Sequence, residues 1–398
     1  MEIMMGLERN LIDESYMKNA LALAKLGEGF VNPNPMVGAV IVKNGKIIGA
    51  GYHKAYGLSH AEVEALRSCR SDVEGAQLYV TLEPCCHVGK NPPCTKAIIE
   101  SGIKKVVVGS LDPNPKVAGQ GIQILRAHGI EVITGVLQKE CDDLNKVFFH
   151  YIQKNEPYII MKYAMTMDGK IATVTGESKW ITSQAARERV HQDRHRYMGI
   201  MVGVGTVLQD DPSLDCRHRK NFIEDKDNIE SHSLLVQRQN VANKEPIRII
   251  CDTHLHTPLT AKVVTTASQQ TTIIATSCQD EEKWKPYLEA GCEILLLNKD
   301  ENGIDLRELV ARLGERGIDS VLLEGGSTLN GSFLTAGLVN KVQCYIAPKI
   351  FGGQKAISPV GGIGIDVPKD CLRLSPPKIE VLGEDILLES EVLRCLPG

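Results

Sequence analysis

The sequence predicts an α/β protein in two parts: an N-terminal three-layer α/β/α domain over residues 1–150 and a C-terminal α/β domain over residues 151–398. Three observations predict it. The chain has 398 residues, more than one ordinary core accommodates. A hairpin signal, Asn44-Gly45 between two β-prone runs, opens a series of alternating helices and strands. A second alternating series starts afresh at Tyr158, just after Pro157.

In chain order, Met17, Ala20, Leu21 and Ala24 fall at helical spacing. They predict a helix over 13–28 with Asp13 as its cap. Residues 37–42 and 46–52 read as the hairpin strands. Helices are expected at 61–69, 94–101 and 121–128, and strands at 77–82, 104–109 and 131–134. One helix over 137–153 leaves this unit. The second series places strands at 158–164, 199–204, 247–252, 271–275, 293–297 and 320–324. It adds a helix at 306–316 and a β-rich end over 341–393. Residues 218–245 are polar and aperiodic, and read as a surface insertion.

Composition excludes several classes. With 43% hydrophobic and 24% charged residues the chain reads as soluble and globular. A formal charge of −4 gives no global attraction to nucleic acid or an anionic membrane. No apolar run approaches the roughly 20 residues that span a bilayer. Residues 1–10 carry Glu2, Glu8 and Arg9 and lack a signal-peptide core. The expected setting is the cytosol, with no membrane or nucleic-acid partner. There the 12 cysteines would be reduced, and a tight cluster of them would point to metal.

Such a cluster exists. His60-Ala61-Glu62 opens a predicted helix, Pro84-Cys85-Cys86-His87 follows a predicted strand, and Pro92-Pro93-Cys94 opens the next helix. Zinc deaminases carry H-x-E…P-C-x-x-C; here eight residues, not two, separate Cys85 from Cys94. A catalytic zinc takes three protein ligands and leaves one position for water, whose pKa it lowers toward about 7. His60, Cys85 and Cys94 supply one imidazole and two thiolates. Glu62 is suited to move the water's proton to the ring nitrogen and then to the leaving ammonia. A structural zinc would want a fourth ligand, for which Cys86 or His87 are candidates, but it leaves Glu62 without a task.

The second half has no Rossmann fingerprint: Gly203-Val204-Gly205 begins like one, but Leu208 stands at the third glycine position. Two segments carry more weight, 202–212 (VGVGTVLQDDP) and 324–332 (EGGSTLNGS). The latter reads as strand, Gly-Gly, helix start, where backbone N–H groups suit a cofactor phosphate.

His60-Ala61-Glu62, the run from Pro84 to Cys94 and the upstream Asn32-Pro33-Asn34-Pro35-Met36-Val37-Gly38 resemble the bifunctional riboflavin-biosynthesis deaminase–reductase family. The runs 162–172 (KYAMTMDGKIA) and 178–182 (SKWIT) resemble its reductase part. The resemblance implies a cytidine-deaminase-like fold for the first domain and a dihydrofolate-reductase-like fold for the second. It implies zinc and NADPH as cofactors, small phosphorylated pyrimidines as substrates, and a homo-oligomer. In the deaminase, Asn34 would read the pyrimidine edge, with His53 at the pocket mouth. His87, Lys90, Asp112 and Asn114 would be further substrate contacts, although Asp-Pro and Asn-Pro pairs are also ordinary turn formers. In the reductase, Ala164, Trp180, Thr206 and Asp210 would line the NADPH site. Gly326, Ser327, Thr328, Leu329, Asn330, Gly331 and Ser332 would surround its phosphates. Ser178, Arg194, Leu214, Arg217 and Glu324 would contact substrate, with Lys162 and Asp168 as polar support.

The implied reactions are loss of the 2-amino group from 2,5-diamino-6-ribosylamino-pyrimidinone 5′-phosphate, then hydride delivery to the ribose C1. Two other readings stand beside this one. A nucleoside or tRNA deaminase fused to an unrelated reductase would show Cys-x-x-Cys spacing and more than the 5% aromatic residues present. A degenerate, nonenzymatic domain would have lost a zinc ligand or the glutamate.

Overall fold

A computed structural model describes residues 2–87, 92–114, 117–217, 245–301 and 303–393, with side chains from residue 11 onward. The chain divides into two compact units, with the boundary in the chain between Lys154 and Asn155.

The first unit contains helix α1 (Glu2–Lys25), strands β1 (Gly38–Lys43) and β2 (Lys46–Tyr52), α2 (Ala61–Ser68), β3 (Gln77–Leu82), α3 (Cys94–Glu100), β4 (Lys105–Ser110), α4 (Gln120–Ala127), β5 (Glu131–Thr134), α5 (Gln138–Leu144) and α6 (Lys146–Lys154). The sheet runs β2-β1-β3-β4-β5. β1 is antiparallel to β2 and β3, while β3, β4 and β5 are parallel. Alternate residues feed opposite faces, as strand pleating requires. Ala39, Ile41, Leu78, Val80, Val106 and Val108 pack with Ala61 and Ala65 of α2, Ile98 of α3 and Leu125 of α4. Val40, Val42, Tyr79 and Val107 pack with Met17, Ala20 and Leu21 of α1 and Cys141 of α5. These are the three layers of the predicted sandwich.

Two local expectations are corrected. Asp13 is not a helix cap: α1 starts eleven residues earlier, at Glu2. The Asp13 carboxylate instead accepts from the Tyr79 hydroxyl at 2.6 Å and pairs with Lys105 at 3.3 Å. The single helix expected over 137–153 is two helices broken at Asn145 (φ −109°, ψ 20°). Asn145 is buried, and its side chain exchanges hydrogen bonds with Met36, accepting from N–H at 2.9 Å and donating to the carbonyl at 3.0 Å.

The second unit contains β6 (Tyr158–Thr166), α7 (Gln184–Arg196), β7 (Gly199–Gly203), α8 (Val204–Asp210), β8 (Ile247–Cys251), α9 (Lys262–Thr265), β9 (Thr272–Thr276), α10 (Glu281–Glu289) and β10 (Glu293–Leu296). A two-strand ladder of β11 (Lys299–Asp300) and β12 (Gly303–Ile304) follows, then α11 (Leu306–Glu315), β13 (Ser320–Leu323), α12 (Ser327–Thr335), β14 (Lys341–Ala347), β15 (Arg373–Leu374), β16 (Lys378–Leu382) and β17 (Asp385–Leu393). The sheet order is β10-β9-β8-β7-β13-β6-β14-β17-β15, with β16 also on β17. From β10 to β14 neighbours are parallel; β17 is antiparallel to β14, β15 and β16. The chain leaves β6, steps outward through β7 to β10, and returns with β13 between β7 and β6. Such a reversal of strand order leaves a crevice at the carboxyl ends of the strands.

Helix α7 was not expected. Its buried face carries Ala186, Asp193 and His195, so the helical period has little hydrophobic signal. The β-rich end is interrupted: 348–367 contain no helix or strand. The expected insertion lies outside the described residues apart from Glu245, whose carboxylate accepts from the Cys216 N–H at 2.7 Å. No helix among the described residues is long and apolar enough to cross a membrane.

Candidate active sites

His60 precedes α2 with extended backbone (φ −73°, ψ 163°), Cys85 lies in the loop after β3, and Cys94 is the first residue of α3. Two helix starts and a strand end thus bring together side chains far apart in sequence. His60 Nδ1 stands 3.4 Å from Cys85 Sγ and 3.3 Å from Cys94 Sγ. All three ligand atoms lie within 4.8 Å of one another. Donors on a tetrahedral zinc, at about 2.3 Å for sulfur and about 2.0 Å for nitrogen, are separated by roughly 3.5–3.8 Å. One imidazole and two thiolates so spaced fit zinc with one corner left over. Neither Cys86 nor His87 joins this group among the described residues.

The Cys94 thiol donates to Cys85; against the cost of burial, and with help from His60, this holds Cys85 well below the ordinary thiol range. Glu62, only 3% exposed, is the second residue of α2. Burial, reinforced by the negative charge on Cys85, pushes its carboxyl up to about 7. A carboxyl poised there can both take and give a proton at neutral pH.

Residues outside the predicted set hold these groups in place. A Cβ at Gly51 would meet Ala65 N at 2.3 Å and Ala61 O at 2.7 Å; one at Gly49 would meet Cys69 Sγ at 2.3 Å and Ala65 O at 2.6 Å. The two glycines therefore let α2 lie directly on β2, which sets the depth of His60 and Glu62. Behind the Cys85 loop, buried Glu83 accepts from the backbone N–H of Asp112 (3.3 Å), Gly119 (3.0 Å) and Ile122 (3.4 Å). That carboxylate ties the cysteine loop to the start of α4. The signal in the sequence was an acid immediately before Pro84-Cys85, in a run otherwise read for its cysteines.

The predicted substrate contacts fare unequally. Asn34 Nδ2 lies 3.2 Å from His53 Nε2. His53 is only 3% exposed, so it does not form a pocket mouth. Asp112 is buried and accepts from the Asn114 N–H at 2.8 Å, a side-chain-closed turn, and burial pushes its carboxyl up to about 6. His87 is exposed, and Lys90 lies outside the described residues.

In the second unit a cleft of ≈ 1820 Å³ opens at the strand reversal. Every predicted reductase residue lines it except Asp168. Asp168 instead latches a loop: its carboxylate accepts from the N–H groups of Phe351 (3.2 Å) and Gly352 (2.7 Å) and from the Thr166 hydroxyl. The expected substrate support from Asp168 is thus corrected to an anchoring contact. Glu324 takes two parallel bonds from Arg194, at 2.7 and 2.9 Å, and lies 3.9 Å from Lys162. Burial would raise Glu324, but Arg194 and Lys162 outweigh it and hold the carboxyl at about 2. Arg194 therefore presents its planar fork to Glu324, and Arg217, 63% exposed at its side chain, is the looser guanidinium.

Asp210 accepts from the Ser178 hydroxyl at 3.2 Å and, through its carbonyl, from Lys179 at 3.1 Å. Thr206 donates to Gly325 O and accepts from Gly326 N–H, joining the start of α8 to the start of α12. A Cβ at Gly205 would meet nothing within 4 Å, so the backbone is open on the cleft side. Sequence reading missed Arg248, which is buried and donates to the hydroxyls of Thr272 and Thr266 and to the carbonyls of Gln270 and Ser213. Its bond to Ser213 O steadies the segment carrying Leu214.

Fold and site together define a deaminase-type zinc-binding domain followed by a reductase domain. Residues 11–110 match the cytidine and deoxycytidylate deaminase zinc-binding region, and residues 157–388 match the RibD C-terminal domain. The chain is 50% identical over 388 residues to riboflavin biosynthesis protein RibD of Actinobacillus pleuropneumoniae, covering 98% of this chain and 97% of that one. It is 38% identical to RibD of Escherichia coli strain K12, covering 94% and 98%. A solved structure from Thermotoga maritima, a diaminohydroxyphosphoribosylaminopyrimidine deaminase/5-amino-6-(5-phosphoribosylamino)uracil reductase, superposes with a TM-score of 0.82 at 38% identity, covering 97% of this chain and 100% of that one. Acinetobacter baumannii RibD gives 0.82 at 35%, with coverages of 97% and 100%. The chain belongs to the RibD family of riboflavin-biosynthesis proteins, bifunctional enzymes with a deaminase and a reductase activity.

Proposed function

We propose that the first unit strips the 2-amino group from 2,5-diamino-6-ribosylamino-pyrimidinone 5′-phosphate, and that the second reduces the product's ribosyl group to ribityl with NADPH. The observation that carries the first half is the convergence of His60, Cys85 and Cys94 within 4.8 Å, with Glu62 buried beside them. Zinc held by those three residues supplies Lewis acidity that lowers the pKa of water from about 15.7 toward 7. Glu62 takes the proton of the attacking water, delivers one to the ring nitrogen, and protonates the departing amine. Asn34 reads the ring edge, Asp112 and Asn114 contact the ribose or the base, His87 is a further substrate contact, and Lys90 suits the phosphate.

In the second unit NADPH supplies the hydride. Thr206 and Asp210 line the NADPH site, and Gly326 to Ser332 at the start of α12 suit its phosphates because a helix N-terminus presents unpaired N–H groups. Ala164 and Trp180 lie along the same cleft. Glu324, Arg194 and Lys162 form the charged end that orients the sugar, with Ser178, Leu214 and Arg217 beside it. What the residues contribute to hydride transfer is chiefly placement.

Incubating the enzyme with the diaminopyrimidine phosphate, with and without NADPH, tests both halves. Ammonia should appear without NADPH, and cofactor oxidation should follow it. The Glu62→Gln variant should keep its zinc and lose about 10²–10⁴-fold in deamination rate; turnover at the parental rate would remove the glutamate from this role.

A further inference from the structure

His53 is a buried histidine beside the first site whose two ring nitrogens are both engaged. Its ring meets the His60 ring edge-on, with centroids 5.6 Å apart and an interplanar angle of 77°. Nδ1 lies 3.1 Å from the Ser59 carbonyl oxygen. A carbonyl can only accept, so Nδ1 carries the proton. Nε2 lies 3.2 Å from Asn34 Nδ2. In a neutral ring protonated at Nδ1, Nε2 is an acceptor, so the Asn34 amide donates to it.

The Asn34 backbone is separately fixed. Its N–H donates to the Val31 carbonyl at 2.8 Å, and two residues on Met36 is clamped by Asn145. What remains is the amide's choice between two orientations related by a half-turn. The contact with His53 selects one of them. It turns Nδ2 toward the histidine and leaves Oδ1 without a partner among the described residues.

We infer that His53 is a positioning residue: its Nε2 locks the Asn34 amide so that the carbonyl oxygen, not the NH₂ group, is offered to the substrate ring. The inference rests on the reading that Asn34 contacts that ring. It makes the site selective for a ring edge that carries an N–H donor, as an aminopyrimidinone does. It also assigns His53 no contact with substrate, which explains a histidine that is enclosed rather than open.

The test is a double-mutant cycle on deaminase kcat/KM, which separates an indirect role from an independent one. In His53→Asn the shorter amide reaches the Nδ1 position, keeping Ser59 and dropping Asn34. In His53→Gln an amide oxygen can reach the Nε2 position and accept again. Zinc content and the reductase rate of the same chain report that each variant is folded. Asn34→Ala should lose on the order of tenfold, about one hydrogen bond. His53→Asn should lose a similar factor alone and nothing further in the Asn34→Ala background, and His53→Gln should recover most of it. Losses that multiply in the double variant, or a Gln variant as poor as the Asn one, overturn the relay while leaving the Asn34 contact intact. A silent Asn34→Ala removes the contact and the relay together. Loss of zinc in His53→Asn moves the role to the metal ligands and also overturns the proposal.

Discussion

In the first unit, three ligand atoms within 4.8 Å and one buried carboxyl make up the reacting group. In the second, a cleft of ≈ 1820 Å³ is walled by residues spread from Lys162 to Leu372. The first set meets because two short helices begin at one place. The second faces a common space because a parallel sheet reverses its strand order. The contrast shows how different chemistries shape their surroundings. Splitting a carbon–nitrogen bond with water needs convergent donors. Moving a hydride from a carrier needs a long surface that holds two molecules in register.

The sharpest way to break this comparison is to remove the metal-binding set alone. Cys94→Ser, or treatment with a chelator, should abolish ammonia release and lower zinc content by elemental analysis. NADPH oxidation on already deaminated substrate should persist; if it fell in parallel, the two chemistries would not be separable. Next in size is Glu324→Gln, which leaves Arg194 and Lys162 without their carboxylate. Breaking a buried ion pair from one side costs about 3–5 kcal/mol, so the reductase rate and the unfolding midpoint should both drop.

The same carboxylate has a pH signature. Its folded-state value of about 2 lies below the ordinary 4.5. The stability it contributes is therefore complete above about pH 4.5 and is lost as pH falls toward 2. Glu389, paired with Lys341 at 2.7 Å and also held at about 2 despite burial, adds to the same window. Denaturant titrations from pH 5 to 3 should show a shallower decline for Glu324→Gln than for the parent; equal slopes would mean that Arg194 and Lys162 do not hold the charge. The smallest effect belongs to Asn145→Ala. Removing the two bonds to the partly buried Met36 backbone should cost about 1–3 kcal/mol. A calorimetric scan should show lower stability, and deamination should weaken more than reduction.

These contrasts also explain what could be read from residues alone. The metal set was visible because its chemistry fixes residue type, and because two of the ligands, His60 and Cys94, stand at helix starts while Cys85 follows a strand. The Asn44-Gly45 turn signal gave the hairpin strands, while the division of Ala39/Ile41 and Val40/Val42 between two faces came from the structure. Asn145, Glu83 and Arg248 were not visible, because each acts on backbone groups distant in sequence and carries no periodic mark. Helix α7 was hidden because its buried side holds Asp193 and His195. Asp193 accepts from Gln343 at 3.2 Å and Tyr345 at 3.3 Å. A polar helix residue whose partners lie on a strand distant in sequence reads as solvent-facing until those partners are in place. Asp168 failed in the opposite sense, since a motif that looked chemical closes a loop.

Gly49 and Gly51 share no atoms with the reacting groups, yet a methyl at either would collide with the helix that carries them. The clearance there is smaller than one carbon atom. An alanine in that strand would be conservative by every compositional measure and would still tilt the imidazole and carboxyl away from the cysteines. Tolerance to change in this enzyme thus follows the spacing between layers, and a hairpin strand is as unforgiving as the catalytic motif itself.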